Sequence, residues 1–331
     1  MSSVFYRAPS HSYPTISHGH GVWLWDTEGK QYLDGSSGAL VANVGHGRQD
    51  IADVMADQSR RIAFAHTMRF TSEPQEALAA LLEQKLGEGG YHTYFVSGGS
   101  EATETAIKMA RQYHVERRQP ERRKIIGRWA SYHGNTLGAL AVSGHIGRRR
   151  PYDPLLPPGF GHIDVPRTEN RECSQDLARG ELCSCLKAVN AVFQQEGPNT
   201  IAAVFIEVVG GSALSGFVPH LGYLPGLQSL CRDYGILLVV DEVMTGCGRT
   251  GQWFAFHHEQ LAPDLVTMAK GLAAGYAPLG AVAARSQIWE TFRHGSGPPR
   301  AGNYRPRTPR YAGQTPRNCA ALPFGANPTT V

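Results

Sequence analysis

Lys270 ends the run Leu265-Val266-Thr267-Met268-Ala269, and a second apolar run, Ile236-Leu237-Leu238-Val239-Val240, ends in Asp241-Glu242-Val243. The spacing predicts an amine and a carboxylate, each just beyond a buried strand. Pyridoxal phosphate (PLP) chemistry needs that pair. A lysine forms an imine with the cofactor aldehyde, and a carboxylate pairs with the protonated pyridine nitrogen. A lone lysine past a strand is more often a solvated surface charge, so the neighbouring segments have to decide.

Three of them bear on the question. Phe95-Val96-Ser97-Gly98-Gly99-Ser100-Glu101 runs from a predicted strand through glycines into a helix. Helix-start N–H groups at Gly99 and Ser100 would favour a phosphate, although an ordinary strand–turn–helix link reads the same way. Ser131-Tyr132-His133-Gly134 follows another strand, and either Tyr132 or His133 could stack on an aromatic cofactor; a buried structural histidine is the alternative. Glu207 closes a third strand, where it would organise polar groups beneath a cofactor or cap a helix. A rival nicotinamide reading rests on Gly246, Gly248 and Gly251, spaced G-x-G-x-x-G. There the glycines should follow the strand directly and open a helix. Instead Asp241 and Glu242 intervene, where they would repel a pyrophosphate, and Gln252-Trp253-Phe254 gives no helix start.

The elements that must position these groups alternate. A hairpin is expected over residues 21–34, and amphipathic helices over 49–63 and Glu73–Leu86. Strands are expected at Tyr91–Val96, 124–129, 162–165, 201–209, 236–240 and Leu265–Met268, the last closing the series. Helices fall at 101–118, 135–142, 183–195 and 224–234. This order predicts an α/β fold of three layers, a mostly parallel sheet flanked by helices. Ligands then bind beyond the carboxyl ends of the strands.

The 331 residues are 41% hydrophobic and 18% charged, and no stretch is apolar enough to span a membrane. The N-terminus lacks a basic segment followed by an apolar one, so a cytoplasmic location is expected. The six arginines from Arg293 to Arg317 account for the net charge of +4, and the rest is close to neutral. Nucleic-acid binding is therefore not expected. The six cysteines include Cys183-x-Cys185, a weak metal hint without a partner pair at finger spacing; reduced structural thiols and no metal are the expectation. Residues 298–331 are rich in proline and arginine and show no period, so that tail is expected to be disordered.

Together these motifs resemble the class-III (omega) aminotransferases of PLP fold type I. The resemblance rests on G-x-x-L-W-D-x-x-G-x-x-Y-L-D (residues 21–34), Gly45-His46, S-G-G-S-E-A-x-E-x-A-x-K-x-A-R (97–111), Y-H-G-x-T-x-G-A-L (132–140), D-E-V-x-T-G-x-G-R-T-G (241–251) and P-D-x-x-T-x-A-K-G-L (263–272). It implies that Lys270 is the imine-forming lysine and proton shuttle, and Asp241 the pyridinium partner. It implies Val243 on one ring face and Tyr132 on the other, with Gly99 and Ser100 in the phosphate cup. Glu207 matches a glutamate near the cofactor, although Val208 stands where the family has proline.

After Gly297 the text departs from the family, which continues into a threonine for the partner's phosphate and a C-terminal small domain. A frameshift or altered gene model would produce that change. The expected organisation is a small-domain segment over residues 1–50, a PLP-binding domain over 51–297, and the tail; the small domain is thus incomplete. The resemblance implies transamination between an amine or ω-amino acid donor and a keto acid acceptor, in a homodimer. A PLP aminomutase or decarboxylase of the same fold, or an inactive remnant acting only as a binding protein, remain the alternatives.

Overall fold

The computed structural model describes residues 3–166 and 179–295, together with Cys173, Gln175 and Asp176. The tail expected to be disordered lies outside the described residues. A small antiparallel sheet comes first: β1 (Ile16–His20), β2 (Trp23–Asp26) and β3 (Gln31–Leu33). Two helices follow, α1 (Gln49–Arg61) and α2 (Glu73–Leu86).

The large sheet has seven strands. In chain order they are β4 (Tyr91–Val96), β5 (Lys124–Arg128), β6 (Phe160–Ile163), β7 (Ile201–Ile206), β8 (Leu237–Asp241), β9 (Leu265–Met268) and β10 (Gly280–Arg285). In space the order is β4-β10-β9-β8-β7-β5-β6. The pairs from β9 through β6 are all parallel. The helices are α3 (Gly99–Glu116), α4 (Leu137–Val142), α5 (Ser184–Glu196), α6 (Tyr223–Asp233) and α7 (Ser286–His294).

β7, β8 and β9 are buried at every residue. That is the state of a parallel strand covered on both faces, and it explains their unbroken apolar sequence. Successive side chains feed opposite cores. Ile126, Val204 and Leu238 join Leu186, Phe193 and Leu227 from α5 and α6. Ile125, Phe205 and Val239 join Ala102, Ala106, Met109 and Tyr113 from α3. The expected three layers are therefore present.

The reading that β9 closes the series is corrected. β10 inserts between β4 and β9, antiparallel to both. Its sequence, Gly-Ala-Val-Ala-Ala-Arg, is small and weakly β-forming by propensity. It is a strand because it fills the gap between two ready-made edges, with five of its six residues buried. Strand β6 begins at Phe160 rather than 162, and α4 begins at Leu137 rather than 135.

The parallel strands and β4 all end on one side of the sheet. That side therefore receives Gly99 and Ser100 after β4, Tyr132 and His133 after β5, Glu207 after β7, Asp241 from β8 and Lys270 after β9. The N-terminal segment leans over the same edge. Asn43 Nδ2 donates to the Cys247 carbonyl at 3.1 Å, and the Arg48 N–H donates to Tyr276 Oη at 2.9 Å. Among the described residues, no helix is long and apolar enough to cross a membrane.

Candidate active site

A cleft of about 180 Å³ opens at these strand ends. It is lined by Gly99, Ser100, Tyr132, His133, Glu207, Asp241, Val243 and Lys270, with Gly134, Val209, Met244 and Thr245. Every site residue expected from sequence faces this one cleft, although the residues come from five separate segments.

Lys270 opens a short 3₁₀ turn at the end of β9 and takes φ +48°. A non-glycine residue in the left-handed region is uncommon, and such strain persists only where the surroundings dictate it. Burial pushes the Lys270 amine below its ordinary range; Asp241 and Glu207 pull it back up. The amine thus sits where its neutral form is more accessible than on a surface.

Asp241 is buried and held from two sides. His133 Nδ1 donates to its Oδ2 at 2.7 Å, and the Val243 N–H donates to its Oδ1 at 2.9 Å. His133 is itself fixed: its backbone N–H donates to Ser143 Oγ, and its carbonyl accepts from Thr103 Oγ1. Sequence left Tyr132 and His133 open as stacking groups. The structure gives the His133 ring to the carboxylate, so a flat face over the cleft falls to Tyr132, against which the Arg148 guanidinium packs at 4.3 Å.

The α3 terminus is built for an anion. Its first-turn N–H groups have no intrahelical partners, and Gly98 caps it without a side-chain bond. A Cβ on Gly99 would lie 3.0 Å from a Val243 methyl, a tight contact that glycine avoids at the mouth of this cradle. Ser100 Oγ donates to Asn135 Oδ1 at 2.9 Å and accepts from the Asn135 N–H at 3.1 Å. Gly134, at φ +142°, passes so close that a Cβ would lie 2.6 Å from Ser100 Oγ.

Glu207 accepts from Arg128 Nη2 at 3.0 Å, with both side chains almost wholly buried. Burial raises the Glu207 carboxyl, opposed by His133 and Arg128. Burial also lowers Arg128, which stays protonated because guanidinium starts so high. Sequence reasoning missed Arg128, Asn135 and Thr245. Arg128 falls inside the strand expected over residues 124–129, and nothing local announces a charge buried against Glu207.

The rival dinucleotide loop is excluded by its conformation. Residues 243–254 form successive turns and bends, and only a short 3₁₀ helix, Ala255–Glu259, follows, with no α-helix opening at the glycines.

The residues fit PLP. An aldehyde needs an amine, a pyridine nitrogen needs a carboxylate, and a phosphate needs exposed N–H groups. Lys270, Asp241 and the Gly99–Ser100 helix start present all three at one cleft. The open cradle at Gly99 is the observation that most directly favours a phosphate there.

Comparisons agree in kind. The sequence profile described as aminotransferase class-III matches residues 6–322, past Gly297, after which the text was expected to depart from the family. An uncharacterised aminotransferase of Bacillus subtilis is 40% identical over 309 residues, covering 92% of this chain and 68% of its own. A crystallised (S)-enantioselective omega-transaminase from Thermomicrobium roseum is 38% identical with TM-score 0.78, covering 87% of this chain and 66% of that one. A taurine:2-oxoglutarate aminotransferase from Bifidobacterium kashiwanohense, solved with PLP and glutamate, is 33% identical with TM-score 0.78, covering 88% and 64%. The chain thus spans about two thirds of the length of these relatives.

Proposed function

This chain belongs to the class-III aminotransferase family, and we propose that it is a PLP-dependent transaminase moving an amino group from an amine or ω-amino acid to a keto acid. The convergence of Lys270, Asp241 and the α3 N-terminus on one cleft carries the reading. The cofactor, when bound, supplies an electron sink for the carbon that loses its proton.

The chain's own residues do the rest. Lys270 would hold the cofactor; its amine, once released, would take a proton from the donor carbon beside the nitrogen in the first half-reaction and deliver one to the acceptor carbon in the second. Its basicity, lowered by burial, favours the free amine that this role needs. Asp241 keeps a proton on the pyridine nitrogen, and His133 keeps Asp241 in register. Tyr132 and Val243, which both line the cleft, would confine the ring. Gly99 and Ser100 anchor the phosphate. Glu207, locked by Arg128, sets polarity on the strand floor. The reading includes a homodimer, supported by the exposed Val54, Phe64, Met68 and Phe70 near the N-terminal segment.

The test is amino-group transfer. PLP-loaded full-length chain is offered a panel of primary amines and ω-amino acids with pyruvate or α-ketoglutarate. Formation of alanine or glutamate in step with the donor's carbonyl product is expected. Carbon dioxide release or positional isomers without transfer would point instead to a decarboxylase or aminomutase. No turnover with bound PLP would contradict the activity.

A further inference from the structure

A second group of reactive side chains lies outside the cleft, where the chain between β6 and α5 meets the loop before α6. Cys173, Cys185 and His220 each offer a ligand atom, and these atoms lie within 4.8 Å of one another. Cys173 Sγ is 3.9 Å from Cys185 Sγ, and Cys183 Sγ is 3.9 Å from His220 Nε2. No disulfide joins them.

Isolated buried thiols pack as small apolar groups. Two thiols and an imidazole at one point, with the Cys183 thiol beside the same imidazole, form a different donor set. Zinc binds thiolate sulfur at about 2.3 Å and imidazole nitrogen at about 2.0 Å in a tetrahedron, whose edges are then roughly 3.5–3.8 Å. The two 3.9 Å separations lie a few tenths of an ångström from that edge.

The histidine is oriented for it. His220 is buried, and its Nδ1 donates to the Leu221 carbonyl at 3.1 Å. That bond fixes the tautomer and leaves a lone pair on Nε2, the nitrogen facing Cys183; backbone carbonyls commonly orient metal-bound histidines in this way. Cys183 is the N-cap of α5, and Cys185 stands in its first turn.

We propose that Cys173, Cys183, Cys185 and His220 form a closed, structural site for a borderline-soft divalent cation, zinc by its donor set. As each metal–sulfur bond forms, the thiol proton leaves to solvent, while His220 keeps its Nδ1 proton; no oxidant takes part. The ion would tie the connection entering α5 to the loop entering α6, two helices that cover the same face of the large sheet. It has no part in amino transfer, so the site stands whether or not the chain is a transaminase.

The full-length chain, purified without chelator, is analysed for zinc by plasma mass spectrometry, then stripped and titrated with Co²⁺. About one zinc per chain is expected, as for a four-ligand closed site. The cobalt form should show thiolate-to-metal charge transfer in the near ultraviolet and strong tetrahedral bands in the red. Cys173→Ser and His220→Gln should each weaken metal binding by at least about tenfold. Cys231→Ser, at a buried thiol outside the cluster, should leave it unchanged. Where a serine variant fails to fold, the cobalt spectrum of the unaltered chain carries the test. Absence of zinc together with a weak octahedral cobalt spectrum would overturn the proposal. A mass two hydrogens short, with Cys173 and Cys185 in one disulfide-linked peptide, would also overturn it in favour of a redox pair.

Discussion

At the level of the residue, Lys270 is a cation drawn into a place that suits it poorly. Burial disfavours its charge, and its backbone sits at φ +48°. Groups held for chemistry often cost stability. Lys270→Met should therefore leave the cofactor-free chain as stable as before or stabilise it by up to about 1 kcal/mol, read from urea midpoints, while removing every covalent link to PLP. A destabilisation of several kcal/mol would show that the amine is structural. Asp241→Asn should keep PLP bound and lower transamination by about 10³-fold or more, comparable to losing a preorganised electrostatic partner. An unaltered rate would remove Asp241 from the pyridine nitrogen. These residues were legible because each is a distinctive type at a strand end. The partner of Asp241 was not legible: His133 could have stacked, and only the packing that turns its Nδ1 to the carboxylate decides. The Cys/His cluster was hidden for the same reason. Its members are scattered over nearly fifty positions, and Cys183-x-Cys185 alone has no finger spacing.

At the level of the element, the strand ends hold their charges by burial and pairing. Burial raises the Glu242 carboxyl from 4.5 to about 7, while Thr245 Oγ1 and the Phe256 N–H donate to it. In the unfolded chain the group titrates near its ordinary value, so the folded state holds the proton more tightly. Its contribution is complete below about pH 4.5 and is lost as pH rises through about 7, a change of roughly 3 kcal/mol. Glu242→Gln should flatten the melting temperature between about pH 5 and 8; an unchanged slope would place the titration elsewhere. The Arg128–Glu207 pair gives a second test. Arg128→Met strands a buried carboxylate and should cost about 3–5 kcal/mol, whereas adding Glu207→Leu should restore most of it. Equal losses in the single and double variants would mean that the pair is not coupled. The parallel strands were legible as unbroken apolar runs. β10 was not, because Gly280-Ala281-Val282-Ala283-Ala284 becomes a strand only between the edges of β4 and β9.

At the level of the whole molecule, one sheet edge gathers five distant segments, and the N-terminal segment leans over it. α1 buries none of its residues, and Val54 and Met55 on it are exposed. Phe64 and Phe70 are exposed as well, and large apolar side chains left uncovered in this number favour a partner surface. Light scattering should therefore return twice the 36.0 kDa chain mass; a monomer at all concentrations would leave this surface without the expected partner copy. The central claim is that six lysines include one whose position, and not its exposure, makes it the cofactor's. Incubation with PLP, borohydride reduction and peptide mapping tests this directly. The account predicts a single modified lysine, Lys270, at close to one label per chain, with Lys30, Lys85, Lys108, Lys124 and Lys187 unlabelled. A label spread over the surface lysines, or full labelling that survives in Lys270→Met, would contradict it.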